Sequence, residues 1–184
     1  MTSLNATPAT ASSRFANVRT LAALAVLLAA AATIAGAWGF ELIGHYVPCK
    51  LCLEERIPYY IGMPIALVAI TASLMIGGDR LARILLLVLA GLFLWSAWQG
   101  VFHAGVEWDW WAGPSDCGVV GGGPGNANLL EELQTIRVVS CTDAPWRFPD
   151  ASWGLSFAGW NAVISTGIAL VALIGAAMRP RIRA

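Results

Sequence analysis

Apolar residues gather into four stretches that carry no charge, at positions 21–40, 57–76, 84–102 and 155–178. Each is 19 to 24 residues long, and a helix needs about 20 residues to cross a bilayer core. The pattern predicts an all-α membrane protein, a bundle of four transmembrane helices. The competing reading is a large soluble helical core. Buried soluble helices are usually shorter and keep a polar stripe, which these stretches lack. The first stretch could instead be a cleaved signal peptide, with Ala35-Gly36-Ala37 as its cleavage site. It is longer than the roughly 7–15 apolar residues of such a segment, so it is read as a span. The chain then divides into a polar tail over 1–20, disordered over its first part, the membrane domain over 21–178, and a basic tail over 179–184.

Composition agrees. Of 184 residues, 58% are hydrophobic and 12% charged, with mean hydropathy +0.67. A soluble domain carries about twice that share of charge, so an ordinary soluble enzyme is excluded. Zero net charge argues against nucleic acid as a partner. The distribution of charge orients the bundle. Arg14, Arg19, Arg80, Arg83, Arg179, Arg181 and Arg183 lie on one side of the membrane with a single acid, Asp79. Lys50, Arg56, Arg137 and Arg147 share the other side with every remaining acid. The Lys/Arg excess marks the cytoplasmic side. Both termini are therefore expected in the cytoplasm, and loops 41–56 and 103–154 outside, in a periplasm or extracellular space. The tryptophans, among them Trp38, Trp95, Trp98, Trp108 and Trp153, cluster toward that outer face as interfacial anchors do.

The long outer loop has two features of its own. Gly121-Gly122-Gly123-Pro124-Gly125 reads as a hinge. Asn128 with Glu131 resembles a capping box. Leu129, Leu130, Leu133 and Ile136 follow as one apolar stripe, so a short surface helix is expected, lying on the membrane or packed on the bundle.

All four cysteines fall in the outer loops: Cys49 and Cys52 in the first, Cys117 and Cys141 in the second. An oxidising compartment permits disulfides there. Two structural staples, a four-thiolate zinc site and a redox relay compete. Zinc is poorly served, because a second C-x-x-C is missing. A four-residue ring is a weak staple, since stabilisation grows with the length of the loop closed. Short rings of this kind suit exchange-active thiols. A helix beginning near Cys52, with Arg56 four residues on, would favour a thiolate there. Glu54 and Glu55 oppose it. Arg56 can also be read as a lipid anchor that snorkels to phosphate.

Pro48-Cys49-Lys50-Leu51-Cys52-Leu53-Glu54-Glu55-Arg56 resembles the P-C-x-L-C-x-x-x-R signature of the disulfide bond formation protein B (DsbB) family. His103-Ala104-Gly105-Val106-Glu107-Trp108 before Cys117 is similar to a second family segment. Cys141 followed by Pro145-Trp146-Arg147-Phe148 and by 155–161 is similar to a third. The likeness runs from about Trp38 to Ala177. Lys50 departs from the pattern, and residues 150–153 lengthen it. The resemblance implies a membrane thiol:quinone oxidoreductase of the bacterial inner membrane. Such an enzyme reoxidises a periplasmic thioredoxin-like (DsbA-like) partner and passes two electrons to ubiquinone or menaquinone. Residue by residue, it implies a Cys117–Cys141 disulfide attacked by the partner at Cys117. Cys141 would then attack Cys49 of a resting Cys49–Cys52 disulfide and release Cys52 toward quinone; the hinge at 121–125 suggests that Cys141 must travel to reach Cys49. Arg56 would hold and polarise the quinone, and His103 would hydrogen-bond to it. His45 and His103 could alternatively be axial ligands of a haem b, although no histidine lies inside a span and C-x-x-C-H is absent. No metal is expected.

Overall fold

Four long apolar helices do form. The computed structural model describes residues 18–114, 137–138, 141–142 and 144–178. Helix α1 spans Val18–Leu42, the short α2 spans Lys50–Glu54, α3 spans Ile57–Leu74, α4 spans Asp79–Glu107 and α5 spans Phe157–Ala177. Among the described residues, and counting α2 with α3, four helices are long and apolar enough to cross a membrane. The helices overrun the charge-free stretches, since Arg19, Glu41, Asp79, Arg80, Arg83, His103 and Glu107 all lie within helical turns. Charge ends a span at the membrane boundary, whereas backbone hydrogen bonding continues until a cap or turn interrupts it.

The core is built from small residues. Ala23, Val26, Ala30, Ala66, Ala69, Ala90, Ala169 and Ala172 are buried, while Leu28, Leu67, Leu87, Trp98, Leu170 and Ile174 are exposed. This inversion of the soluble pattern is what lipid permits: small side chains let helices approach, and large apolar ones face the tails. Helix α4 packs on α3 and α5, and α1 closes the ring on the same two neighbours. At Gly100 of α4 a Cβ would sit 2.7 Å from the Ala162 amide nitrogen and 2.9 Å from the Ala158 carbonyl of α5. Inside the bundle, the Tyr59 hydroxyl donates to Asn161 at 2.6 Å and meets Ser165 at 2.8 Å. Ser165 donates onward to Ser96 at 2.9 Å.

One end is closed by Arg19, which pairs with Asp79 and donates to the Met178 carbonyl at 3.2 Å. The other end carries the loops with Cys49, Cys52 and Cys141. There Ser156 caps α5, accepting from the Gly159 amide at 3.2 Å, and donates to the buried Glu107 of α4. Two strands complete this end: β1 (Tyr46–Val47) and β2 (Arg137–Val138) pair in parallel, Tyr46 opposite Arg137 and Val47 opposite Val138. The ladder adds a local β element to the expected all-α bundle and ties the two loops together. The polar N-terminal tail, the glycine hinge at 121–125, the helix expected after Asn128, Cys117 and the basic tail lie outside the described residues.

Candidate active site

The segment after α1 turns sharply, with His45 at φ 56°, runs through β1 and reaches Cys49. Cys49 is the N-cap of α2, in extended backbone, and its Sγ accepts the Cys52 amide at 3.3 Å. The expected helix start is thus displaced, and the first-turn amide serves Cys49 rather than Cys52. The two residues are free thiols, Sγ to Sγ 2.8 Å. This differs from the resting Cys49–Cys52 disulfide implied by the family resemblance. Cys141 is disulfide-bonded and 1% exposed.

Behind Cys49 lies His103, 2% exposed on α4. Its Nε2 is 3.8 Å from the Cys49 Sγ, and its Nδ1 is 2.8 Å from Oε1 of the buried Glu55. The ligating atoms of Cys49, His103 and Cys141 all lie within 4.8 Å of one another. The expectation that Cys141 must travel is corrected here: its sulfur already stands beside Cys49. Three donors so close suggest a metal by number, but a sulfur in a disulfide is not a thiolate, and the thiolate is the ligand. Both ring nitrogens of His103 are engaged, which leaves none for a haem iron. The Cys49 thiol is pulled down from 9.0 to about 5, first by the hydrogen bond from Cys52, then by His103 and the Cys52 amide, all against the effect of burial.

On the other side of the pair, a cavity of about 350 Å³ opens between α1, α3 and α5. Its walls are mostly apolar, with Phe40, Trp146 and Phe157 among them, and Cys52 and Arg56 reach it. Trp146 stacks on Phe157 with centroids 4.7 Å apart, and Phe40 meets Phe157 edge-on at 4.8 Å. Arg56 stands where α2 breaks from α3, and Pro58 suits the first turn that follows. Its Nη1 donates to Oε2 of Glu41 at 2.7 Å. Volume and lining are those of a small-molecule site, apolar with a few fixed polar groups.

Of the residues singled out in the sequence, Cys49, Cys52, Cys141, Arg56 and His103 converge on one end of the bundle, and Cys117 lies outside the described residues. Cys52 and Arg56 face the cavity. His103 is not among the cavity's lining and contacts Cys49 and Glu55 instead. Two residues were missed. From sequence alone Glu41 is only a charge, and Glu55 only a carboxylate opposing a thiolate. The available signal was their place at a membrane boundary, where an ionisable side chain needs a partner. The partners lie 15 and 48 residues away.

The family model described as Disulfide bond formation protein DsbB matches residues 19–175. No curated protein and no solved structure matches the chain.

Proposed function

This chain belongs to the DsbB family of disulfide bond formation proteins, and from that premise we propose that it is a thiol:quinone oxidoreductase. It takes two electrons from a reduced thioredoxin-like, DsbA-like partner and delivers them to a membrane quinone. Its place is the bacterial inner membrane, with both termini cytoplasmic and the cysteine loops in the periplasm. One observation carries the reading: Cys49 is flanked by the disulfide-bonded Cys141 on one side, while its partner Cys52 opens onto an apolar cavity on the other.

The residues divide the work as follows. Cys117 receives the partner's thiolate and opens the Cys117–Cys141 disulfide. With the C-x-x-C pair oxidised, the freed Cys141 attacks Cys49, the Cys49–Cys52 bond breaks, and Cys52 is released as a thiolate at the cavity wall. Flat aromatic walls and an arginine beside a thiol fit a quinone ring and its polar oxygens, with Arg56 the residue to hold one. When bound, a quinone supplies the acceptor for two electrons and two protons. The Glu41 carboxylate fixes the Arg56 fork at the mouth of that cavity, and a fixed fork presents its donors in one geometry.

The test combines the purified protein, a reduced thioredoxin-like partner and a soluble quinone, with quinone reduction followed by absorbance. Catalytic quinone reduction that stops on replacing Cys52 is expected. Partner oxidation without quinone reduction would overturn the reading.

A further inference from the structure

Disulfide exchange needs a thiolate, and a thiol buried among apolar groups does not ionise unaided. Cys49 and Cys141 are each 1% exposed, so water cannot serve as the proton acceptor for either. His103 faces both sulfurs within 4.8 Å and is gripped from behind by Glu55 at 2.8 Å. A nucleophilic sulfur on one nitrogen of an imidazole and a carboxylate on the other form the arrangement that activates nucleophiles elsewhere. We propose that His103, oriented by Glu55, is the general base of the exchange between the two cysteine pairs. It takes the proton of whichever of Cys141 and Cys49 is attacking.

The inference rests on the relay reading above. In the direction of electron flow, the Cys141 thiol gives its proton to Nε2 of His103. Its sulfur bonds to the Cys49 Sγ, the Cys49–Cys52 bond breaks, and the electron pair stays on Cys52 as a thiolate. One proton has moved and one imidazolium has formed, paired with the Glu55 carboxylate. With electrons flowing the other way, a Cys49 thiol attacks Cys141 of the Cys117–Cys141 disulfide: the same imidazole accepts its proton, the Cys49–Cys141 bond forms, and the Cys117 sulfur leaves as the thiolate. One base can serve both directions because both sulfurs lie beside it. Glu55 is a positioning residue, and His103 touches the reacting atoms. The other groups facing this site are Cys52, Glu107 one turn along α4, and Tyr59 from α3, with Arg147 acting on Glu107.

The test uses the full chain, both pairs oxidised, in quinone-free nanodiscs. It is mixed with a water-soluble dithiol and quenched with acid and alkylating reagent, and the Cys49–Cys141 bond is counted by mass spectrometry. His103→Gln should slow its appearance roughly hundredfold near neutral pH. The variant's rate should climb about tenfold per pH unit and approach wild type as the thiol ionises by itself. Glu55→Gln should show the same steepening with a smaller loss, and Glu55→Asp should restore the wild-type profile. A wild-type profile in His103→Gln, or an equal slowing at every pH, overturns the base. A wild-type protein that never forms the Cys49–Cys141 bond overturns the relay itself, and the base with it.

Discussion

Arg56 is 13% exposed at its side chain and Glu41 28%, so their pair is sheltered but not sealed from water. If Arg56 holds the quinone, Arg56→Lys should weaken quinone use about tenfold to hundredfold, from the roughly 1.5–3 kcal/mol of a charged hydrogen bond. Exchange with the thiol partner should remain near normal. A lipid anchor would tolerate lysine and leave both half-reactions intact. Glu41→Gln removes only the fork's restraint, and a pair that water still reaches is worth about 1 kcal/mol or less, so roughly a fivefold rise in quinone KM is expected. Measuring quinone KM beside single-turnover partner oxidation separates these outcomes. Cys49 yields a pH prediction. The fold favours its ionised form, so that contribution to stability is complete above 9.0, declines as pH falls, and is gone below about 5. The thiolate ultraviolet absorbance of the reduced C-x-x-C protein should fall with a midpoint near 5. A midpoint near 9 would show that Cys52 and His103 do not hold the charge.

At the scale of elements, the contact between α4 and α5 depends on what Gly100 lacks. Gly100→Leu drives side-chain atoms into the α5 backbone, which cannot yield as a side chain can. A cost of about 1–3 kcal/mol is expected, read as a lower midpoint of thermal unfolding in detergent. Gly167, on α5, meets nothing within 4 Å, and Gly167→Ala should be neutral or slightly stabilising. Equal effects at both positions would refute the packing argument. The same contrast explains what the sequence made legible. Uninterrupted apolar runs declare four spans by length alone, and the C-x-x-C, Cys141, Arg56 and His103 were visible as residue types. The break between α2 and α3 was hidden, because Pro58 suits a continuing first turn as well as a new one. The contacts of His103 were hidden too, since Glu55, Cys49 and Cys141 reach it only after the chain has crossed the bundle. A periodic pattern reports which face is lipid-exposed. It does not report which polar residues meet at a helix end.

As a whole, the molecule is a small-residue interior within an apolar coat, with Trp38, Trp95, Trp98, Trp108, Trp110, Trp111 and Trp153 all exposed. Aromatic rings of this kind fix a bundle's depth at the interface. Fixed depth lets one end hold sulfur chemistry while the other is closed by Arg19 and Asp79. Between the loops runs the two-residue parallel ladder of β1 and β2. Parallel strands leave a pairing in the same direction, so from the pair Val47–Val138 both segments advance together. Cys49 comes two residues along one, and Cys141 three along the other. The ladder is therefore a ruler whose zero mark is shared by both loops. One glycine inserted between Val138 and Cys141 displaces a sulfur by up to ~3.3 Å, comparable with the whole separation to be crossed. Such an insertion should abolish the Cys49–Cys141 bond in the quench experiment, while an equal insertion within 121–125 should leave it intact. If both are tolerated alike, the loops find each other by diffusion, and the measured length between strand and cysteine has no meaning.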